Sequence, residues 1–194
     1  MCANETKEQK GNYVRIAPDG LTEGVIEMTS TLSAVVHRAA TGETEDLGVI
    51  SRMKVSTAFV QVLCRAMDGN EHTTEYGYFR NYMYHEWGTS AATEGNTQTK
   101  CVAHASNQTE DASGLLVSGT QVGGSTSYSS VATLTANSNY SISEHCLHPT
   151  AGCGTAPYEG VDSYGLDRST FTGIPLSTGD SITFTYTLNV PAES

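Results

Sequence analysis

Positive charge is scarce in this sequence, and its scarcity excludes one large class of partners. Lys and Arg total only 10 of the 194 residues against 21 Asp and Glu, so the formal net charge is −11. Proteins that hold a nucleic-acid backbone need a surplus of basic side chains to neutralise the phosphates. We therefore expect no nucleic acid among the partners.

Long apolar runs are also missing. No stretch approaches the roughly 18 consecutive apolar residues that a membrane-spanning helix requires. The first residues, MCANETKEQKGN, lack the apolar core of a secretory signal peptide. These two absences predict a protein that is made in a cytoplasm, is not exported by that route and has no membrane partner.

Recognisable catalytic motifs are absent as well. The sequence contains no Gly-x-Ser-x-Gly elbow, no phosphate-binding loop and no His-Glu-x-x-His motif. His72 and His85, with Glu75 and Glu86, could form acid–base pairs. They lie in an aromatic-rich segment, however, where packing and interface contact explain the composition. We predict no enzyme, no catalytic residue and no cofactor.

One short segment combines residue types that bind metals. His145, Cys146, His148 and Cys153 lie within nine residues, and imidazole and thiolate are ligands that zinc prefers. The spacing fits no standard two-plus-two site, and no second ligand pair follows. A metal site, a Cys146–Cys153 disulfide and an inert polar loop all stay open. The sequence favours the loop, so we predict no metal ligand and no effect of EDTA on the melting temperature.

The residues that are abundant indicate the fold. Ser and Thr make about a quarter of the chain, Gly contributes 19 residues, and hydrophobic residues reach only 38%. Thin cores of this kind are typical of β-sandwiches with many short strands. We predict a mainly β, jelly-roll-like sandwich over residues 25–194, with one helix, preceded by an extended N-terminal arm over residues 1–24.

The clearest strand pattern is at the C-terminal end, over residues 181–190. Polar and apolar residues alternate strictly, which predicts one buried and one solvated face. The residues predicted to be buried are Ile182, Phe184, Tyr186, Leu188 and Val190. Residues 177–180 supply a turn, and residues 171–176 are predicted to be the partner strand.

The helix is predicted over residues 53–67. A set of residues at helical spacing shares one face, and Gly69 follows where a C-terminal cap is expected. That face consists of Met53, Thr57, Val60, Cys64 and Met67. Before the helix, residues 26–37 and 46–51 are predicted to form a hairpin.

Three segments of the sequence are distinctive when they are taken together. They are residues 84–93, YHEWGTSAAT, residues 134–137 with 142–147, and residues 167–184. In this order they resemble the Trp-Gly-Thr segment, the strand pair and the closing hairpin of a family of small structural proteins of tailed bacteriophages. Their order also agrees, so the resemblance covers roughly residues 26–190. The chain departs from the pattern at His145-Cys146, where the family has Gly and an apolar residue, and in a longer loop over 148–164.

The resemblance implies a virion protein without catalytic residues. We expect a capsid decoration (cement) protein, made in the host cytoplasm and located on the capsid surface. Its partner would be the major capsid protein, across whose capsomer joints it would dock. We also expect a homo-oligomer, with a trimer favoured at three-fold positions. The alternative is a tail, baseplate or fibre component that contacts other tail proteins or the host surface.

Two sets of residues are candidates for contact with those partners. In the arm, Tyr13, Val14 and Ile16 are apolar anchors that could add to a neighbour's sheet edge. In the aromatic segment, alternation leaves two or three Tyr residues outside the core, and Tyr is enriched at interfaces. The candidates there are Tyr78, Tyr82 and Tyr84. Core packing is the competing role for this segment.

Overall fold

The computed structural model describes residues 13–16, 24–53, 55–67, 81–106, 116–151 and 165–190. Within these ranges the chain forms one helix and eleven strands. The helix is α1, Thr57–Met67. The strands are β1 Tyr13–Ile16, β2 Gly24–Glu27, β3 Thr29–His37, β4 Thr44–Met53, β5 Tyr84–Gly88, β6 Val117–Ser118, β7 Thr120–Gly123, β8 Ser127–Thr135, β9 Tyr140–His148, β10 Arg168–Leu176 and β11 Ser181–Asn189.

The larger strands form two antiparallel sheets. One has five strands in the order β4-β3-β11-β8-β7, and the other has four in the order β10-β9-β5-β6. Their buried apolar side chains form one continuous core. The predicted β-sandwich with one helix is therefore confirmed, while the jelly-roll order of connections stays a prediction.

Strand β11 lies at the centre of the five-stranded sheet and shows the predicted alternation. Ile182, Phe184, Tyr186 and Leu188 are buried, and the intervening residues are half-exposed. The prediction is wrong for Val190, which follows the end of the strand and is 38% exposed. The turn at the strand's start is held by Asp180, whose carboxylate accepts hydrogen bonds from Ser177 N and Ala39 N.

Two predicted strand pairings are wrong for the same reason. Strand β10 pairs with β9 and not with β11, and β8 pairs with β11 and β7 but not with β9. The turns after β8 and after β10 carry the chain from one sheet to the other. Each sheet has an apolar face that must be covered by the opposite sheet. When consecutive strands belong to different sheets, the chain builds both layers and each apolar face is covered. A hairpin within one sheet adds both of its strands to the same layer and covers neither face.

The helix is confirmed, but it begins at Thr57 because β4 extends to Met53. Ser56 caps it: the Ser56 hydroxyl accepts a hydrogen bond from Phe59 N at 3.0 Å. The predicted buried face is wrong, since Cys64 is exposed and Met67 is 64% exposed. Phe59 and Val62 are buried instead. Among the described residues, no helix is long and apolar enough to cross a membrane.

Residues 13–16 of the predicted arm form strand β1. This strand pairs antiparallel with β2 of the same chain, with Tyr13 opposite Glu27 and Ile16 opposite Gly24. Residues 13–16 are therefore extended, and their backbone already has a partner within the same chain. Addition of this segment to a neighbouring subunit would use the other edge of β1 or replace β2. Residues 1–12 and 17–23 lie outside the described residues.

Candidate functional site

The chain buries an unusual number of polar side chains in β5, β9 and β10. Residues on one face of this sheet point into the sandwich core, and residues on the other face are covered by the segment 89–106. The core-facing members are the inner histidine pair, His85 and His145. The outward-facing members form the outer polar cluster: Glu86, Glu144, Cys146, His148 and Arg168, with Cys101 and His104 from the covering segment. All are buried except His104.

Glu144 and Arg168 form a buried ion pair at one end of the outer polar cluster. Arg168 Nε donates to Glu144 Oε2 at 2.6 Å, and neither side chain is exposed to solvent. The remaining Arg168 donors reach the carbonyls of Ala92 and Ser90 and the side-chain oxygen of Gln98. Every nitrogen of the guanidinium group is thus used, which a buried charge requires.

Glu144 also fastens the covering segment to the sheet. Its carboxylate accepts hydrogen bonds from the backbone N–H groups of Ser90, Val102 and Ala103, at 2.7 to 3.1 Å. Gly88 lies against this carboxylate, and a Cβ atom there would collide with Glu144 and with the Ala103 carbonyl. The glycine of the Trp-Gly-Thr segment is therefore required by this close approach.

Glu86 is the centre of the other end of the cluster. Its carboxylate accepts hydrogen bonds from His148 Nε2 at 2.8 Å, from His104 Nδ1 at 2.9 Å and from Cys101 N at 2.9 Å. Burial alone would raise the pKa of Glu86, but the hydrogen bonds from the two histidines and the backbone outweigh it. The pKa of Glu86 therefore lies well below its usual value, and the group is a carboxylate at neutral pH.

Cys146 lies beside Glu86 and His148 on the same face. Register pairs it directly with Glu86, and one atom each of Glu86, Cys146 and His148 fall within 4.8 Å of one another. The Cys146 thiol donates a hydrogen bond to the Thr99 carbonyl at 3.4 Å. Cys153, which would pair with Cys146 in the disulfide alternative, lies outside the described residues.

Hydrogen bonds of the inner histidine pair link one sheet to the other. His85 Nδ1 lies 2.9 Å from His145 Nε2, and His85 Nε2 lies 2.9 Å from the Ser130 hydroxyl on β8. Burial, and secondly the charge of His148, lower the pKa of His85 to about 3. Burial likewise lowers the pKa of His145. Both rings are neutral at physiological pH and serve as polar links inside the core.

Asp167 is a buried acid of a different kind. It is fully buried, and within the described ranges neither carboxyl oxygen has a hydrogen-bond partner of good geometry. Burial is the largest cause that raises the pKa of Asp167 to about 8, and the nearby Glu94 adds to it. The side chain is thus a neutral acid at pH 7, whereas in the unfolded chain it is ionised above about pH 4.

This difference predicts a pH dependence of stability. The folded chain keeps a proton that the unfolded chain has lost between about pH 4 and pH 8, so Asp167 destabilises the fold increasingly as the pH rises through that window. Asp167→Asn should remove the effect and raise the free energy of unfolding at pH 8 by more than about 1 kcal/mol. Urea unfolding at pH 5 and pH 8 measures this. A variant no more stable than wild type at pH 8 would contradict it.

The predicted contact residues differ from one another in burial and in their place in the fold. Tyr82 is only 2% exposed and packs edge-on against Phe59 with ring centroids 5.3 Å apart. As a surface contact it is therefore a wrong prediction, because α1 covers it. Tyr84 is half-buried on β5, and Tyr78 lies outside the described residues. Tyr13, Val14 and Ile16 lie in β1, paired with β2.

Sequence reasoning missed Glu144 and Arg168 altogether and did not join Glu86 to Cys146 and His148. One signal was present in residues 142–148, ISEHCLH, which do not alternate between polar and apolar residues as the last strand does. A strand that is covered on both faces loses that alternation. All seven of these residues are buried.

Comparisons with known proteins add no relative. No family model, no curated protein and no solved structure was found to match this chain.

Proposed function

We propose that this chain is a virion structural protein, namely a capsid decoration protein of a tailed bacteriophage. The observation that carries the proposal is the outer face of the five-stranded sheet. On its three central strands this face presents fifteen outward positions, of which eleven are Ser or Thr and none is Lys, Arg, Asp or Glu. We call it the hydroxyl face. Its positions are Thr29, Thr31, Ser33, Val35 and His37, Ser181, Thr183, Thr185, Thr187 and Asn189, and Ser127, Ser129, Val131, Thr133 and Thr135.

The lack of charge on this face contrasts with the rest of the chain. A net charge of −11 makes copies of the protein repel one another and repel any acidic surface. A region without charge is where a subunit can approach at the lowest electrostatic cost. Depletion of charged residues is also the compositional mark of interface centres.

The hydroxyl face is also held in a defined arrangement. The hydroxyls of Ser129 and Thr187 lie 3.0 Å apart, and those of Thr133 and Thr183 lie 2.8 Å apart. These cross-strand bonds fix side chains on a central strand that is paired on both edges. A preordered surface loses less conformational entropy when it binds.

Its area reaches the size of an interface only when the flanking strands are included. Three central strands of nine residues, at about 3.4 Å per residue and about 4.8 Å per strand, give an uncharged area of roughly 450 Å². The flanking strands raise it to roughly 700 Å², and β4 places Asp46 and Arg52 at the rim, opposite Val35 and Thr31. A specific interface buries about 800 Å² on each partner. One copy can thus hold one capsid subunit through this sheet, and a closed trimer would let it bridge several.

Two further observations support a structural role over a chemical one. The buried side chains Glu86, Glu144, His85, His145 and His148 bond one another, Arg168 or the backbone and do not face solvent. The resemblance of residues 84–93, 134–137, 142–147 and 167–184 to phage structural proteins supplies the biological setting.

The proposal predicts that a charge on the hydroxyl face abolishes docking. Thr185→Lys, at the centre of β11, should weaken binding to purified phage heads by at least about tenfold, because it buries an unpaired charge at an interface. Thr178→Lys, in the exposed turn before β11, makes the same charge change and should bind like wild type. Equal binding of wild type and Thr185→Lys in a sedimentation assay would overturn this choice of face.

Copy number separates the capsid from the tail. A decoration protein is present at on the order of hundreds of copies per virion, whereas a tail ring contains about six or twelve. Quantitative mass spectrometry on purified virions measures this number. A count near six or twelve would replace the capsid assignment with a tail component.

A further inference from the structure

We propose that Glu86, Cys146 and His148 form a structural zinc site inside the outer polar cluster. Each contributes one ligand atom, and these three atoms lie within 4.8 Å of one another. All three side chains are buried, and carboxylate oxygen, thiolate sulfur and imidazole nitrogen are all established zinc ligands.

The sheet itself brings the ligands together. Glu86 on β5 stands directly opposite Cys146 on β9, and His148 lies two residues farther along β9 on the same face. Ligand atoms around a tetrahedral zinc ion are about 3.5 Å apart. His148 Nε2 and Glu86 Oε2 are already 2.8 Å apart. Small side-chain rotations would bring the three ligand atoms around one ion, and a water molecule would take the fourth tetrahedral position.

Surrounding groups hold the carboxylate in place. His104 Nδ1 bonds Glu86 Oε1, and the backbone N–H of Cys101 bonds Glu86 Oε2. Outer hydrogen bonds of this kind orient metal ligands. They also join the covering segment to β5, so a metal ion at Glu86 would fasten that segment to the sheet.

Charge and protons balance in the bound state. Zinc carries two positive charges, and the Glu86 carboxylate with the Cys146 thiolate carries two negative charges, while His148 binds as a neutral ring. Binding releases the thiol proton of Cys146 to solvent. The His148 proton moves from Nε2 to Nδ1 by exchange with solvent, so that the ring stays neutral and Nε2 binds the metal. The resulting centre is neutral, which suits a buried position.

The site differs from the one that the sequence suggested. Of His145, Cys146 and His148, only Cys146 and His148 face Glu86; Cys153 lies outside the described residues. His145 points to the opposite side of β9, where it bonds His85. The third ligand comes from a strand about sixty residues earlier, which no local spacing reveals. The expectation that EDTA has no effect is accordingly replaced by its opposite.

Metal content is the first test. The full chain, expressed with added zinc and passed through a desalting column, should carry about one zinc per chain. Inductively coupled plasma mass spectrometry measures this ratio. Removal with a strong chelator should lower its melting temperature, and added zinc should restore it. Wild-type protein that carries no zinc under these conditions, with a melting temperature that chelator leaves unchanged, would overturn the proposal.

Variants then test the ligands. Cys146→Ser should lose the bound zinc, whereas Cys64→Ser, which removes an exposed thiol on α1, should keep it. Glu86→Gln preserves side-chain volume and should weaken zinc binding by at least about tenfold. If Cys146→Ser does not fold, Glu86→Gln serves as the test of whether these side chains bind zinc. A zinc affinity in Glu86→Gln equal to that of wild type, measured by competition with a chelator, would exclude this site.

Cobalt gives a readout that does not depend on stability. Cobalt(II) bound by a thiolate has a charge-transfer absorption band and, when tetrahedral, intense visible bands. Wild type and Cys64→Ser loaded with cobalt should show both, and Glu86→Gln should show altered visible bands. Cobalt-loaded wild type without a thiolate band would overturn the participation of Cys146.

Discussion

Phe184→Ala is expected to lower the free energy of unfolding by about 3 to 5 kcal/mol. Phe184 is completely buried at the middle of β11. The centroid of its ring lies 4.8 Å from that of His145 and 6.1 Å from that of Phe171, and both of these residues are on the opposite sheet. Truncation therefore removes contacts that hold the two sheets together and leaves a cavity between them. Since domains are stable by only about 5 to 15 kcal/mol, this loss is a large fraction of the total stability.

Urea or thermal unfolding measures this loss, and the same strand provides the control. Thr185→Ala changes the neighbouring residue, which points to the hydroxyl face, and should alter stability by about 0.5 kcal/mol or less. Leu188→Ala, on the buried face, should lose roughly 2 kcal/mol or more. Equal large losses at 184 and 185 would show that β11 is buried on both faces.

Glu144→Gln is expected to cost about 3 to 5 kcal/mol, because it leaves the buried charge of Arg168 without its counter-ion. The substitution keeps the size of the side chain. It replaces one acceptor oxygen with an NH₂ group among four donors, namely Arg168 Nε and the N–H groups of Ser90, Val102 and Ala103. At least one donor must then face another donor.

A surface ion pair supplies the matched control for this substitution. Glu45 pairs with Arg38 at 3.3 Å, but its side chain is 57% exposed. Glu45→Gln makes the same chemical change and should cost no more than about 1 kcal/mol, because water replaces the lost partner. Chemical denaturation of both variants in one buffer tests the difference. If Glu144→Gln were as mild as Glu45→Gln, the buried network would contribute little to the fold.

Where one face of an element meets water, its sequence pattern predicted the structure well. The alternation in residues 181–190 predicted β11 and four of its buried residues. The helix before residue 67 was also found, but its buried face was misassigned. Thr57, Val60 and Cys64 are regularly spaced, yet Phe59 and Val62 contribute the larger apolar surface to the core.

Strand pairing could not be predicted in the same way. The turns after β8 and β10 look like hairpin turns, because turn chemistry depends on four local residues. Whether such a turn returns within a sheet or crosses to the other sheet depends on which apolar faces remain uncovered. That is a property of the whole sandwich.

The sequence by itself determined the class of this protein: an acidic, Ser- and Thr-rich β-sandwich with one helix and an uncharged C-terminal strand face. These features follow from composition and from a period of two, which act through neighbouring residues. Only the tertiary structure decided that Glu86 meets Cys146 and His148, and that Glu144 meets Arg168. In both groups the residues that meet come from different strands, and the segment 89–106 encloses them. Contacts between distant segments depend on register and on the covering layer, and neither is encoded in local spacing.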